Sequence, residues 1–514
     1  MIQKIKNDGR FVLIFISSFV WGLLAHGMAM FNKYSYHDDV PHYNGVGVTY
    51  ELGRWFLAIS GKFASFFFGS KNYSLPAFEG VITIAAIAAM TYIICLKLRI
   101  ENKVLIVALT SALVCFPAVT NIFGYVYTAP YYYIGALAGV AGAYIFYKKK
   151  SLPAGAVCAT LMALSVGIYQ SNIPINLMVL LLFMLDEVYC SDMDLKEFIT
   201  LAFKNILICV IFMAEYFAAN ALALRITGLQ LYDYKAVSSF GLTNPVEYLV
   251  RIITAYKRFV KPADFINYNN VSANMFPWNT KYVHMLLVLV IAVLLVLLLR
   301  SVHDVKKIIQ ICIITVLSPL FAYFIYVMVS EEDAHGGMTF GESFMFFFAA
   351  YVIERAGQND RIKRFLSKAA VALMLVIGVM FARYANVCFL KADLMQTEAI
   401  NYYNRLIAQI QSVEGYTTET PVLYIGGRNK NDDGFSGDSR FDPIYLPPYQ
   451  NNSIINDFSW EETMELWCSF APQMAEPDAI ESWDVIDGMP NYPDAGSVRM
   501  VDGTIVVKFA DSSD

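Results

Sequence analysis

The chain has 514 residues, of which 57% are hydrophobic and 16% charged, where an ordinary soluble domain carries roughly 25% charged residues. That composition excludes a typical water-soluble enzyme. With 38 Lys and Arg against 43 Asp and Glu the net charge is -5, which leaves no global basic surface for a nucleic acid, and 8 cysteines without a CxxC pair form neither a disulfide framework nor a zinc site.

Phe11 to Met30 carries no formal charge, and about twenty such residues cross a hydrocarbon layer of roughly 30 Å. Lys4, Lys6 and Arg10 precede it, as in a signal peptide. The run is long, however, and no small-residue cleavage site follows before Tyr34, so it reads as a retained helix with its N-terminus in the cytoplasm. The outer loop over residues 31–80 opens with Tyr36-His37-Asp38-Asp39. It continues into Tyr50-Glu51-Leu52-Gly53-Arg54-Trp55-Phe56-Leu57, an apolar stretch with Arg54 and Lys62 that suits a helix lying in the membrane surface.

Further spans are expected at Val81 to Leu96 and as a pair within Val104 to Tyr147, turning where Pro117, Asn121, Gly124 and Pro130 cluster. Another pair lies within Ser151 to Leu185, turning at Gln170-Ser171-Asn172-Ile173-Pro174, followed by a span at Asn205 to Leu224. A second long outer loop, residues 225–281, holds a candidate helix, Asn244 to Val260. Apolar runs at His284 to Leu299, Ile308 to Val329, Gly341 to Ile353 and Phe365 to Leu390 complete a set of about eleven spans. Lys97, Arg99 and Lys103, then Lys148-Lys149-Lys150, then Arg300, Lys306 and Lys307, then Arg355, Arg361, Lys363, Arg364 and Lys368 all fall in alternate loops. The short hairpins near Thr120, Ser171 and Asp333 hold no Lys or Arg. Basic residues near span ends stay in the cytoplasm, which puts the C-terminus outside. The polar tail from Lys391 combines a helical pattern, Thr397 to Gln411, with a strand, Val422 to Ile425, and a hairpin, Val498 to Phe509, turning at Asp502-Gly503. The expected fold is therefore an α-helical polytopic membrane protein over residues 1–390 with a small extracytoplasmic α/β domain over 391–514.

Several polar residues stand out. A carboxylate pair just past a span, Asp38-Asp39, suits a general base on a sugar hydroxyl, with one residue taking the proton while its neighbour orients the acceptor or a metal; the same dipeptide also suits a solvated helix end. Glu331-Glu332-Asp333 with His335 either contributes to that site or ends its helix. Arg251, Lys257, Arg258 and Lys261 place cations on an outer loop. Either an anionic ligand accounts for them, or the long loop translocated with its charges and needs none. Glu215, mid-span, reads as a buried hydrogen-bonded residue rather than a proton relay, and His26 as a core histidine. Tyr125 and Tyr131-Tyr132-Tyr133 read as an interfacial aromatic belt rather than a sugar platform, and Trp55 as a packing residue, with sugar stacking as its alternative.

A first span followed at once by Asp38-Asp39, a long first outer loop with Glu51-Leu52-Gly53-Arg54-Trp55, many spans and an extracytoplasmic tail resemble the GT-C membrane glycosyltransferases. Among these the closest likeness is to the Gtr-type (type II) O-antigen glucosyltransferases of bacteria. The resemblance covers Met1 to about Leu390. It implies a multi-pass protein of the bacterial inner membrane that moves a sugar, glucose by analogy, from a polyprenyl-phosphate donor to a hydroxyl of a surface glycan, with inversion. Asp38 and Asp39 would be the catalytic acids, with Glu332 as a third. Arg54, with Arg258 or Lys261 in support, would hold the donor phosphate, since a guanidinium grips two phosphate oxygens at once. The resemblance assigns no cofactor and leaves a divalent metal near Asp38 and Glu332 open. It implies two partner proteins, a small flippase and a synthase that loads glucose on the carrier. A flippase of lipid-linked sugars is the second reading and a glycan polymerase the third; a flippase needs polar residues along a path through the spans, where the sequence offers little but Glu215.

Overall fold

The computed structural model describes residues 8–32, 45–232, 244–260, 265–268, 271–273, 278–330, 334–356, 360–426 and 460–510. Asp38, Asp39, Lys261 and Glu332 lie outside them. The chain divides into two compact units, one holding the described residues up to Val387 and the other those from Cys388.

The first unit is helical: α1 Gly9–Phe31, α2 Trp55–Phe68, α3 Pro76–Leu98, α4 Lys103–Val114, α5 Pro117–Ile122, α6 Ala129–Lys149, α7 Leu152–Ile168, α8 Ile173–Cys190 and α9 Leu195–Thr227. It continues with α10 Pro245–Val260, a two-stranded antiparallel pair, β1 Phe265–Tyr268 and β2 Val271–Ala273, then α11 Trp278–Leu299, α12 Val305–Ala322, α13 Ile325–Met328 and α14 Met345–Ala356. Helix α15, Arg361–Gln411, runs past the boundary between the units. The starts follow local chemistry. Asp8, Asn102, Ser151 and Asp304 accept backbone N–H groups as N-caps, and Asp194 with Glu197 closes a reciprocal capping box. Prolines open α3, α5, α6, α7 and α8, where the missing N–H costs nothing.

Among the described residues eight helices are long and apolar enough to cross a membrane: Gly9–Phe31, Pro76–Leu98, Lys103–Tyr125, Gln170–Cys190, Leu195–Thr227, Thr280–Leu299, Val305–Ala322 and Arg361–Gln411. The other three expected spans are helices too, α6, α7 and α14. Pro117 interrupts the run between α4 and α5 without ending it; the chain turns later, at Val126–Thr128. The charge-free run Val104 to Tyr147 locates two helices but not the bend between them.

At one end of this unit Asp186, with a side chain 1% exposed, receives Lys97 Nζ at 2.9 Å, Arg355 Nη2 at 3.1 Å and the Tyr351 hydroxyl at 3.3 Å. Glu187 takes Lys97 and Lys150. The cluster ties α3, α6, α8 and α14 together through residues the loop charges alone leave unpaired. The second unit holds a three-stranded sheet of order β3-β5-β4, with β3 Val422–Ile425 parallel and β4 Val498–Val501 antiparallel to the fully buried β5 Thr504–Lys508. The hairpin turns at Asp502-Gly503, both at positive φ, as a tight two-residue turn requires. The Asp502 carboxylate accepts the Ser482 and Glu481 N–H groups, which hold its pKa below the ordinary value. Helices α16 Trp460–Cys468 and α17 Trp483–Asp487 complete the unit.

Breaking a buried ion pair from one side leaves a charge without its partner and costs about 3–5 kcal/mol. Asp186→Ala, which strips Arg355 of its counter-charge, should lower the unfolding temperature of detergent-solubilised protein by several degrees, and an unchanged melting curve would reject a structural role for the cluster.

Candidate functional site

Residues Tyr50–Leu52 form a single 3-10 turn, Gly53 follows at a φ of 70°, and Arg54 stands directly before α2. Three carbonyls of this turn lie outside the helix ladder and need donors. Each has one from elsewhere in the unit. Glu51 O accepts the Tyr232 N–H at 2.9 Å, Leu52 O accepts Gln170 Nε2 at 2.6 Å, and Gly53 O accepts the Tyr216 hydroxyl at 3.2 Å. Arg54 N closes the turn on Thr49 O at 2.8 Å. A Cβ on Gly53 would stand 2.7 Å from the Tyr216 hydroxyl and 2.9 Å from Gln170 Nε2, so both the backbone angle and the space demand glycine.

The half-buried Arg54 side chain reaches Tyr132 and Tyr169, whose rings stack at 4.1 Å and 8°. Its Nη1 donates to the Tyr132 hydroxyl at 3.0 Å, and its guanidinium carbon lies 5.2 Å from the Tyr169 ring centre and 5.8 Å from that of Tyr132. Both distances suit cation–π attraction. Asn172 Nδ2 donates to Tyr132 O at 3.4 Å and Ser165 O at 3.1 Å, fixing α6 against α7. Trp55, 8% exposed, packs against Gly167, where a Cβ would fall 2.7 Å from its indole; packing is indeed its role.

Along α2 runs a groove of about 1060 Å³, walled by Phe56, Ile59 and Phe63 of α2, Phe78 and Ile82 of α3, Tyr131 and Ile134 of α6, and Leu164 and Ile168 of α7. Many of these side chains are surface-exposed, Phe63 at 66% and Ile134 at 45%, so the groove opens on the molecule's apolar exterior. Tyr131 and Ile168, which line the groove, are the chain neighbours of Tyr132 and Tyr169. Phe66, Phe67 and Phe68 are exposed on the same helix, the pattern expected of a segment lying in a membrane surface.

Arg258 meets protein rather than open solvent. On α10, Arg251 donates to the carbonyls of Val327 and Met328 at 3.4 and 3.3 Å and pairs with Glu247. Arg258 interacts with Glu342, which is 5% exposed and accepts the Tyr326 hydroxyl at 3.1 Å. Arg258 thus has Glu342 in its electrostatic surroundings, and Arg54 has its tyrosine pair. Glu342, at the head of the apolar run Gly341 to Ile353, is a carboxylate that the sequence reading passed over; its place at the edge of an apolar span was the available signal. Glu215 is half-buried, with Oε1 3.4 Å from the Thr160 hydroxyl, while the residue that matters locally is its neighbour Tyr216. His26 is a core histidine, bonded to Val114 O at 2.9 Å and stacked on Phe123.

One expectation is overturned. Tyr132 and Tyr133 are 7% and 3% exposed and do not form a lipid-facing belt, because Tyr132 packs on Tyr169 and Asn172 and Tyr133 on Phe340. Gly337, Met338 and Phe340, which follow the acidic residues 331–333, line a narrow cleft with Tyr132, Tyr169 and Ser171. Among the described residues no three His, Cys, Asp or Glu side chains gather as a metal site.

The family described as Glucosyl transferase GtrII matches residues 27–347, a span that contains every residue of the Arg54 turn and its partners. No curated protein and no solved structure matches the chain.

A left-handed backbone angle costs a non-glycine residue about 1–2 kcal/mol, before any clash. Gly53→Ala should reduce thermal stability by at least that amount, measured by unfolding in detergent, and wild-type stability would show that the turn relaxes away from Tyr216 and Gln170.

Proposed function

The chain belongs to the glucosyl transferase GtrII family, and from that premise we propose that it transfers glucose from a polyprenyl-phosphate carrier to a hydroxyl of a cell-surface glycan such as O-antigen, on the outer face of the bacterial inner membrane. One observation supports the choice of donor: the Arg54 guanidinium lies beside the stacked Tyr132–Tyr169 pair, whose chain neighbours Tyr131 and Ile168 wall a groove of about 1060 Å³ that opens on the apolar exterior. A cation beside an apolar groove complements an amphiphile with an anionic head and a hydrocarbon tail. A nucleotide sugar has no tail for such a groove.

In this reading the prenyl chain lies along α2 and the phosphate meets Arg54. The acceptor oxygen attacks the anomeric carbon from the side opposite the phosphate, its bond to carbon forms as the carbon–oxygen bond to phosphate breaks, and the configuration inverts. The acceptor proton passes to Asp38, with Asp39 orienting the hydroxyl, and polyprenyl phosphate departs with the bonding electrons. Arg54 stabilises the charge growing on that leaving group, with Arg258 or Lys261 in support and Glu332 as a third acid. The turn Gly336–Met338 lines a cleft with Tyr132 and Tyr169. A flippase and a carrier-loading synthase would supply the donor, and the N-terminus lies inside with the C-terminus outside.

The test is transfer from polyprenyl-phosphate glucose by membranes containing the protein. Arg54→Ala should lower kcat/KM by about 10²–10³-fold, the usual loss when a donor to developing charge is removed. Asp38→Asn should lower it by roughly 10²–10⁴-fold; transfer near the wild-type rate in either variant rejects that residue's role. Movement of the carrier across the membrane without transfer would favour the flippase reading. A topology reporter fused after Asp514 should be active outside the cytoplasm, and activity inside would invert the orientation.

A further inference from the structure

Arg54 is placed by its backbone, and two side chains hold that backbone. We propose that Gln170 and Tyr216 are positioning residues that aim the Arg54 guanidinium at the donor phosphate; the inference rests on the phosphate reading of Arg54 given above.

The argument starts from the hydrogen bonds. Gln170 Nε2 donates to Leu52 O at 2.6 Å and to the Tyr216 hydroxyl at 3.2 Å, and that hydroxyl donates in turn to Gly53 O at 3.2 Å. A phenol has one proton. Because its acceptor side is taken by the Gln170 amide, its proton is directed to Gly53 O, and the two carbonyls before Arg54 are fixed as one unit. Tyr216 is 5% exposed and comes from α9, far from the turn in sequence. A turn whose Glu51 and Leu52 are half-exposed could have given its carbonyls to water; buried side chains take them instead.

The same short segment does a second job. Tyr169 stacks on Tyr132 and faces the guanidinium, and Asn172 holds the Tyr132 carbonyl. Residues 169–172 therefore fix both the backbone before Arg54 and the aromatic cradle around its side chain. An Arg side chain has several rotatable bonds, and so considerable rotamer entropy, to lose. Restraining it at both ends before the donor arrives removes that cost from binding, and a misplacement of about 1 Å can cost roughly 10²-fold in rate. Packing alone does not need the Tyr216 hydroxyl or the Gln170 amide; aiming Arg54 does.

The test is a double-mutant cycle read by affinity for sugar-free polyprenyl phosphate, which requires no catalysis. In full-length detergent-solubilised protein, Tyr216→Phe and Gln170→Leu keep side-chain bulk and remove the donors. Each should weaken that affinity by about three- to tenfold, the worth of one hydrogen bond, and lower kcat/KM for the glucosylated donor at least as much. In an Arg54→Ala background, neither substitution should weaken binding further, because the group they aim is gone. Full additivity, or wild-type affinity in both single variants, overturns the proposal. An Arg54→Ala protein that binds the carrier normally overturns the phosphate reading itself, and this inference with it. If Tyr216→Phe fails to fold, Gln170→Leu carries the cycle alone, and its outcome is decided by the same comparison.

Discussion

Keeping a charged guanidinium in place at the edge of an apolar bundle is the constraint around which the described part of this protein is organised. Charge in such surroundings is costly unless it is hydrogen-bonded and electrostatically matched. Arg54 donates to a phenolic oxygen and lies beside two stacked tyrosine rings. Elsewhere the unit solves the same problem differently. Asp186 absorbs Lys97 and Arg355, and Glu342 faces Arg258. The Asp186 pairs hold helices together.

Close approach makes that arrangement feasible. Gly53 admits the Tyr216 hydroxyl and the Gln170 amide, Gly167 admits the Trp55 indole, and Gly135 stands where a Cβ would be 3.1 Å from Asn172 Nδ2. In a bilayer, helices gain little from burying apolar surface against one another, and small residues that let elements touch supply much of the packing. Glycine at these positions thus joins the lipid-facing helix α2 to α7 and α9 and sets where Arg54 emerges.

Much of this was legible in the sequence. Charge-free runs locate the helices, Asn244 to Val260 forms as α10 from Pro245, and Asp502-Gly503 turns the hairpin at the expected residues. The interest of Gly53-Arg54-Trp55 was also visible. What was hidden follows from how side chains find partners. Gln170 read as a polar hairpin residue because its targets are backbone carbonyls, which look alike in every sequence. Three successive tyrosines gave no hint which would face lipid, since that depends on the helices that pack around α6. Glu215 drew attention by its isolation, yet Tyr216, an unremarked aromatic beside it, turns inward to the Gly53 carbonyl. Arg258 looked available to a ligand because its partner, Glu342, lies more than eighty residues away in an apolar run.

On the proposed reading, rigidity at Arg54 is the property that separates a transferase from a carrier. A transporter must let its cations move between two arrangements of comparable energy. Stabilising a leaving group asks the opposite: the donor must already point to where charge will develop, so that little reorganisation is needed during reaction. The Arg54 turn has its carbonyls bonded, its one strained angle occupied by glycine, and its guanidinium beside stacked rings. Moving it would break several hydrogen bonds at once with no second set in view. On that reading such a site is suited to hold a phosphate still while the sugar leaves it.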